Sequence, residues 1–381
     1  MSLTPTGRPL ARNRDGFALL LALGAIVVIS ALVAGSFMIS TRDVRTARVS
    51  ASRESAQLRA ENALFQLREN AQTQASALPS IGSTIRWTPT YGGGDAWITK
   101  LSDNMFLLTS DATSGGNLAS NSAKSRVSML LVRNMPQMEF LGALTVRGAT
   151  QIGGSSFING HDTNPDGWAC PTPGATKPGV VTPPPGNNIT YSGCNAGQCI
   201  DGNPDVLQDT RASDNATYFQ YGSTGWNDLK LLAKKIPGNI GAMYVAPTTR
   251  ADGTCKSDDL LNWGDPLRVG GPCEGYFPII YVDGDAKINR LRGQGVLLVE
   301  GDLEVQGGYE FYGPVIVKGR LKTTGTGGHF TGGVMAANVD LEQNQVLGNA
   351  VISYSSCALA TALRNSAALT PVRQRGWADL Y

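Results

Sequence analysis

The sequence predicts an α+β chain in two parts. A long N-terminal, membrane-crossing helix carries a small antiparallel sheet, and a mostly-β parallel β-solenoid with a disulfide-rich insertion follows. Three observations predict it. An uncharged run from Phe17 to Ser40 leads into an amphipathic stretch without Pro or Gly that lasts to Leu78. Residues 84–133 then alternate apolar and polar. Beyond residue 140 a short glycine-containing repeat recurs.

The helix is read first. The 24 residues from Phe17 to Ser40 span about 36 Å at about 1.5 Å each, enough to cross a hydrocarbon core of about 30 Å. A cleaved secretory signal has a shorter apolar stretch of about 7–15 residues, and Ala31 and Ala34 offer a poor small-x-small site. No cysteine follows, which excludes a lipoprotein. Farther on, apolar residues recur three or four apart in two runs. One is Val44, Ala47, Ala51, Leu58 and Phe65; the other is Ala60, Ala63, Leu64, Leu67 and Ala71. Pro79 ends the pattern. One helix of about 90 Å is expected, apolar all round in its first half and amphipathic in its second.

Arg8, Arg12 and Arg14 form a short basic leader that ends at Gly16–Phe17. This leader, the apolar half-helix and the stretch "AQLRAENALFQLRE" resemble the N-terminus of type IV pilins, and among these the PilX-like minor pilins. The resemblance implies that prepilin peptidase cuts between Gly16 and Phe17 and that the new amine of Phe17 is methylated. It implies a single-pass protein of the inner membrane with a periplasmic C-terminal region, carried later to the pilus and cell surface. The implied partners are other pilins, the inner-membrane assembly machinery, the peptidase and membrane lipid. One position departs from the family, whose fifth mature residue is usually Glu; here it is Leu21. A lone Glu in a membrane helix costs a few kcal/mol. Leu21 argues against a major pilin and leaves a minor or tip subunit and a plain membrane anchor both open.

The segments "AWITKL", "NMFLLTS" and "RVSMLLVR" alternate in period two between polar turns and read as an antiparallel meander. In the pilin-like arrangement such a sheet covers the helix's apolar stripe.

The repeat governs the rest. "VRGATQI" (146–152), "VDGDAKI" (282–288), "VEGDLEV" (299–305) and "VKGRLKT" (317–323) align, the last three at spacings of 17 and 18 residues. A fixed short period of strand plus glycine turn marks a solenoid. Alternation points Leu297, Val299, Leu303 and Val305 inward and Leu298, Glu300, Asp302 and Glu304 outward. Stacking the next coil sets Glu300 by Lys318, Asp302 by Arg320 and Glu304 by Lys322. The outward column Tyr281, Leu298 and Ile316 is apolar and calls for a cover.

The expected organisation is a leader over 1–16, the membrane half of the helix over 17–40, and pilin-like helix and meander over 41–135. A first coil over 136–160, an insertion over 161–275, further coils over 276–360 and a tail over 361–381 complete it. The insertion is rich in Pro and Gly and holds one expected helix, 226–236. The six cysteines, Cys170, Cys194, Cys199, Cys255, Cys273 and Cys357, read as up to three disulfides, with 15 connectivities that sequence does not resolve. Cys357 is placed to tie the insertion to the final coils.

"DTNPDG" sets Asp162, Asn164 and Asp166 as in the start of a calcium loop, though its twelfth position is Pro173 and the same residues make a β-turn. No other cofactor is expected. A net charge of +2 offers no field for nucleic acid, and two histidines, His161 and His329, leave little for His catalysis. Asp283, Asp285, Glu300 and Asp302 read as surface ladders rather than as an acid–base site.

The expected function is therefore not enzymatic. The chain reads as a minor-pilin or pseudopilin-like subunit at the tip of a type IV pilus or related secretion filament, with the solenoid for contact or adhesion. The alternative is an anchored or secreted solenoid adhesin outside any filament.

Overall fold

The computed structural model describes residues 15–114, 122–185, 188–239, 242–339, 342–372 and 377–380; residues 1–14 of the leader lie outside the described residues. One helix runs unbroken over Asp15–Ser76, about 93 Å. Of its two apolar runs, the chain covers one. Ala56, Ala60, Ala63, Leu64, Leu67, Ala71 and Ala75 are buried. From Ala60 onward this stripe packs on Ala96, Ile98, Phe106, Leu108, Val127, Met129 and Leu131 of the sheet. The small alanine side chains let the helix lie close on the strands.

The sheet is the expected meander, Asp95–Ser102, Met105–Ser114 and Ala123–Arg133, with Thr84–Trp87 on its outer edge. Its other edge is closed from the far end of the chain. Leu369–Pro371 pairs antiparallel with Leu131–Arg133, and Trp377–Leu380 pairs farther along the same strand. Much of the segment expected as a tail is therefore sheet.

Residues 144–354 hold the solenoid, an 18-stranded parallel curled sheet among the described residues. Each coil contributes strands to three ladders, and corresponding strands of successive coils hydrogen-bond in parallel. Thus Leu297–Val299 lies between Ile280–Val282 and Val315–Val317, and Leu303–Val305 between Ala286–Ile288 and Leu321–Thr323. In the third ladder, Tyr309–Tyr312 lies between Leu291–Gln294 and Gly328–Thr331.

Stacking order differs from chain order. Val334–Ala336 of the last-wound coil pairs with Leu144–Val146 of the first, which pairs in turn with strand Val180–Thr182, and that strand with Val206–Gln208. Strands Lys234–Pro237 and Met243–Val245 begin the opposite end, against 280–283 and 288–291. The chain starts inside the stack, winds out to one end, crosses to the other, and winds back to meet its own first coil. Residues 161–275, expected as an excursion, contribute coils at both ends. The helix expected over 226–236 ends at Leu232, because the next residues are drawn into strand Lys234–Pro237.

The crossing segment, 209–233, is the cover that the apolar outward column requires. Tyr281, Leu298, Ile316, Met335 and Val181 are all fully buried. Along the crossing, Ala212 meets Val181 and Leu141. The Tyr218 ring sits 5.5 Å from the Arg147 guanidinium, and Trp226 meets Tyr281 edge-on at 6.3 Å.

One corner of the coils is a column of glycines, Gly295, Gly313 and Gly332, with φ of 114°, 130° and 139°. The helix Ser356–Ser366 packs on the strands flanking this corner. A Cβ on Gly313 would fall 2.2 Å from the carbonyl oxygen of Gly295 and 2.8 Å from the Cβ of Ala362. Only glycine lets the coils and the helix approach this closely.

Candidate functional site

The part of the molecule left without a cover is the first half of the long helix. Between Leu19 and Ile39 its large apolar side chains are 54–72% exposed. The second apolar run continues that surface past the uncharged stretch. Val44, Ala51 and Leu58, spaced by seven, lie about 160–200° around the helix from the buried Ala60 and stay exposed. One helix thus has two unlike faces: alanines on its own sheet, and an apolar strip left outward. The sequence shows both strips, and only the fold shows which one the chain leaves open. Gly16 and Phe17 lie in the first turns of the helix backbone, and Leu21 projects from the exposed span.

The three in-register charge pairs form as expected. Lys318 pairs with Glu300, Arg320 Nε lies 2.7 Å from Asp302, and Lys322 Nζ lies 4.0 Å from Glu304. Such half-exposed pairs contribute about 0.2–1 kcal/mol each and serve chiefly to fix register.

All four carboxylates of the acidic coils are engaged. Asp283 takes Lys235 Nζ at 2.6 Å and the Tyr281 hydroxyl at 2.9 Å, and Asp285 accepts from the Asp302 amide at 2.9 Å. Glu300 accepts from Tyr281 at 2.9 Å and from the Trp226 indole at 3.2 Å, so it clasps the crossing segment to the stack. The Lys235 bond, then that of Tyr281, holds Asp283 below the usual carboxylate range. For Glu300 burial pushes upward, but the bonds from Lys318 and Tyr281 outweigh it and the net shift is down. Burial, and then these two carboxylates, push the Tyr281 phenol up.

The cysteines pair as Cys170–Cys357, Cys194–Cys199 and Cys255–Cys273. The first ties the insertion to the helix that follows the last coil, as placed. Asp162 works beside it. Its carboxylate accepts from the Ser356 amide at 2.7 Å, the Ser356 hydroxyl at 2.6 Å and the Gly174 amide at 2.5 Å. Asn164 donates to the carbonyl of Pro171 at 2.9 Å. Of the residues expected to start a calcium loop, Asp162 thus holds the N-terminus of helix Ser356–Ser366 and Asn164 bonds within its own loop. No group of three or more His, Cys, Asp or Glu side chains gathers as a metal site among the described residues.

His161 is held at 3.0 Å by both Asp201 and Thr176. His329 lies in a strand, between Glu310 and Val351 in register.

No family model and no curated protein matches the chain. Among solved structures it is similar to the crystal structure of competence-associated pilin ComZ from Thermus thermophilus. Identity is 13%, coverage is 86% of this chain and 98% of that one, and the TM-score is 0.24. A likeness at that score carries no inference.

Proposed function

We propose that this chain is a minor-pilin or pseudopilin-like subunit of a type IV pilus or related secretion filament. The supporting observation is the division of labour along one helix. Its second half buries an alanine stripe under an antiparallel sheet, while its first half keeps a membrane-length apolar surface bare. In this proposal the bare half anchors the subunit in the inner membrane and later packs among neighbouring helices. Prepilin peptidase cuts between Gly16 and Phe17, and the Phe17 amine is methylated. In this reading the subunit sits at the tip; Leu21 supports that by arguing against a repeating major pilin, since no charge is needed at the tip to register it against a neighbour's N-terminus. The solenoid projects for contact or adhesion. No chemistry is assigned to it, because each carboxylate of the acidic coils already has a partner.

The N-terminal mass of protein from envelope and sheared surface fractions tests this. The expected result in both is a chain that starts at N-methylated Phe17. A start near Gly35 would make residues 1–34 a secretory signal, and an intact leader would leave a static anchor. Either result overturns the proposal in favour of an adhesin outside any filament.

A further inference from the structure

Immediately beyond the uncharged span, residues 41–53 carry Arg42, Arg45, Arg48 and Arg53 against the single acid Asp43. Residues 41–50 are exposed, and none of the four arginines forms an ion pair among the described residues. The unpaired set lies where a membrane-anchored helix leaves the bilayer.

Position along the helix divides these arginines. At about 1.5 Å per residue, Arg42, Arg45 and Arg48 lie about 3, 8 and 12 Å beyond Ser40, and Arg53 lies about 20 Å beyond it. The headgroup layer is about 5–8 Å thick on each side of the hydrocarbon, and screening reaches about 8 Å at physiological salt. The first three therefore sit within reach of lipid phosphates, and Arg53 does not. Arg42 and Arg45 stand five helical turns before Ala60 and Ala63, so they occupy the sheet side of the helix, in the space between bilayer and sheet. The leader carries three arginines on the other flank, Arg8, Arg12 and Arg14, so the intact chain is balanced across the span. Cleavage after Gly16 leaves all the flanking arginines on the C-terminal side.

We propose that Arg42, Arg45 and Arg48 form a collar that binds the phosphates of anionic phospholipids in the leaflet where the helix emerges. The collar fixes the depth of the helix and holds the processed subunit in the membrane until assembly draws it out. The inference rests on the membrane-anchor reading above. Three charges at graded depth favour anionic over zwitterionic headgroups, and salt weakens that preference.

The test reconstitutes the full chain into phosphatidylcholine vesicles containing a little phosphatidylglycerol. Spin-labelled forms of the two lipids then compete for the protein surface. The expected result is a severalfold preference for phosphatidylglycerol, lowered when Arg42, Arg45 and Arg48 are all changed to Gln and unchanged in Arg53→Gln. An equal preference in the wild type and the triple variant would overturn the collar, as would an equal loss in Arg53→Gln. Failure of the chain to enter the vesicles would overturn the anchor reading and the collar with it. Insertion without lipid preference would overturn the collar alone.

Discussion

Replacing Gly313 with alanine is expected to destabilise the solenoid by about 4 kcal/mol. Two causes add. The position has φ of 130°, which costs a residue bearing a Cβ about 1–3 kcal/mol. The new methyl also falls 2.2 Å from the Gly295 carbonyl and 2.8 Å from Ala362, and overpacking of that kind costs about 1–3 kcal/mol more. Neither neighbour can step aside. Gly295 belongs to the next coil, and the Ala362 helix is held by Cys357 and by the Asp162 clamp. Gly325→Ala is the matched control, since it has φ of 68° but nothing within 4 Å of the added Cβ, so strain alone remains. Urea unfolding of the detergent-solubilised chain measures both. Equal losses in the two variants would show that the coils and helix do not meet as closely as the corner requires.

Removing the Cys170–Cys357 bridge by double serine substitution is expected to be the most damaging of the three disulfide losses. The bridge closes 187 residues, against 18 for Cys255–Cys273 and 5 for Cys194–Cys199. Loop-closure entropy assigns these about 5, 3 and 2 kcal/mol. The first bridge also fixes the start of helix Ser356–Ser366, which leads directly into strand Leu369–Pro371 of the N-terminal sheet. Its loss should therefore loosen both units, and protease should cut between residues 355 and 369 before it cuts the coils. Thermal unfolding of the three double variants gives the order. If Cys194–Cys199 proved the costliest, closure of the long loop would not be what that bridge contributes.

How much of this was legible in the sequence depends on whether the signal was local. The three charge pairs were, because Glu300, Asp302 and Glu304 meet Lys318, Arg320 and Lys322 at one fixed period. The buried alanine stripe and the meander were legible for the same reason. The winding order was not. Val334–Ala336 meets Leu144–Val146 across 190 residues, and short strands outside the glycine repeat, such as Val180–Thr182, carry no repeat signature. The outward column of Tyr281, Leu298 and Ile316 did announce that something must cover it. The aromatic residues Tyr218, Tyr221 and Trp226 were the signal for what does, but they lie in the stretch read as an insertion, outside the repeat. Strand Leu369–Pro371 is placed by its pairing with Leu131–Arg133, distant in sequence, so nothing in its own composition marks it.

The crossing of 209–233 has a structural consequence. It brings the two ends of the solenoid chain together, so two connections run to the N-terminal unit. Near that junction the Asn134 amide donates to the Ala368 carbonyl at 3.3 Å, and its side chain reaches Thr370 at 2.8 Å. Gln72 of the long helix donates to the Asn365 carbonyl at 3.1 Å. Both connections and these hydrogen bonds tie the solenoid to the helix and its sheet.

The most direct measurement of the central claim is site-specific photo-crosslinking from the exposed strip. A photoreactive residue at Leu58 is compared with one at Ala60, two positions away on the opposite, buried face. If the helix packs in a filament, Leu58 in the sheared surface fraction captures a second pilin-like chain and Ala60 captures only its own sheet. If Leu58 captures nothing but lipid or solvent in every fraction, the helix is a lone anchor, and the filament role is wrong.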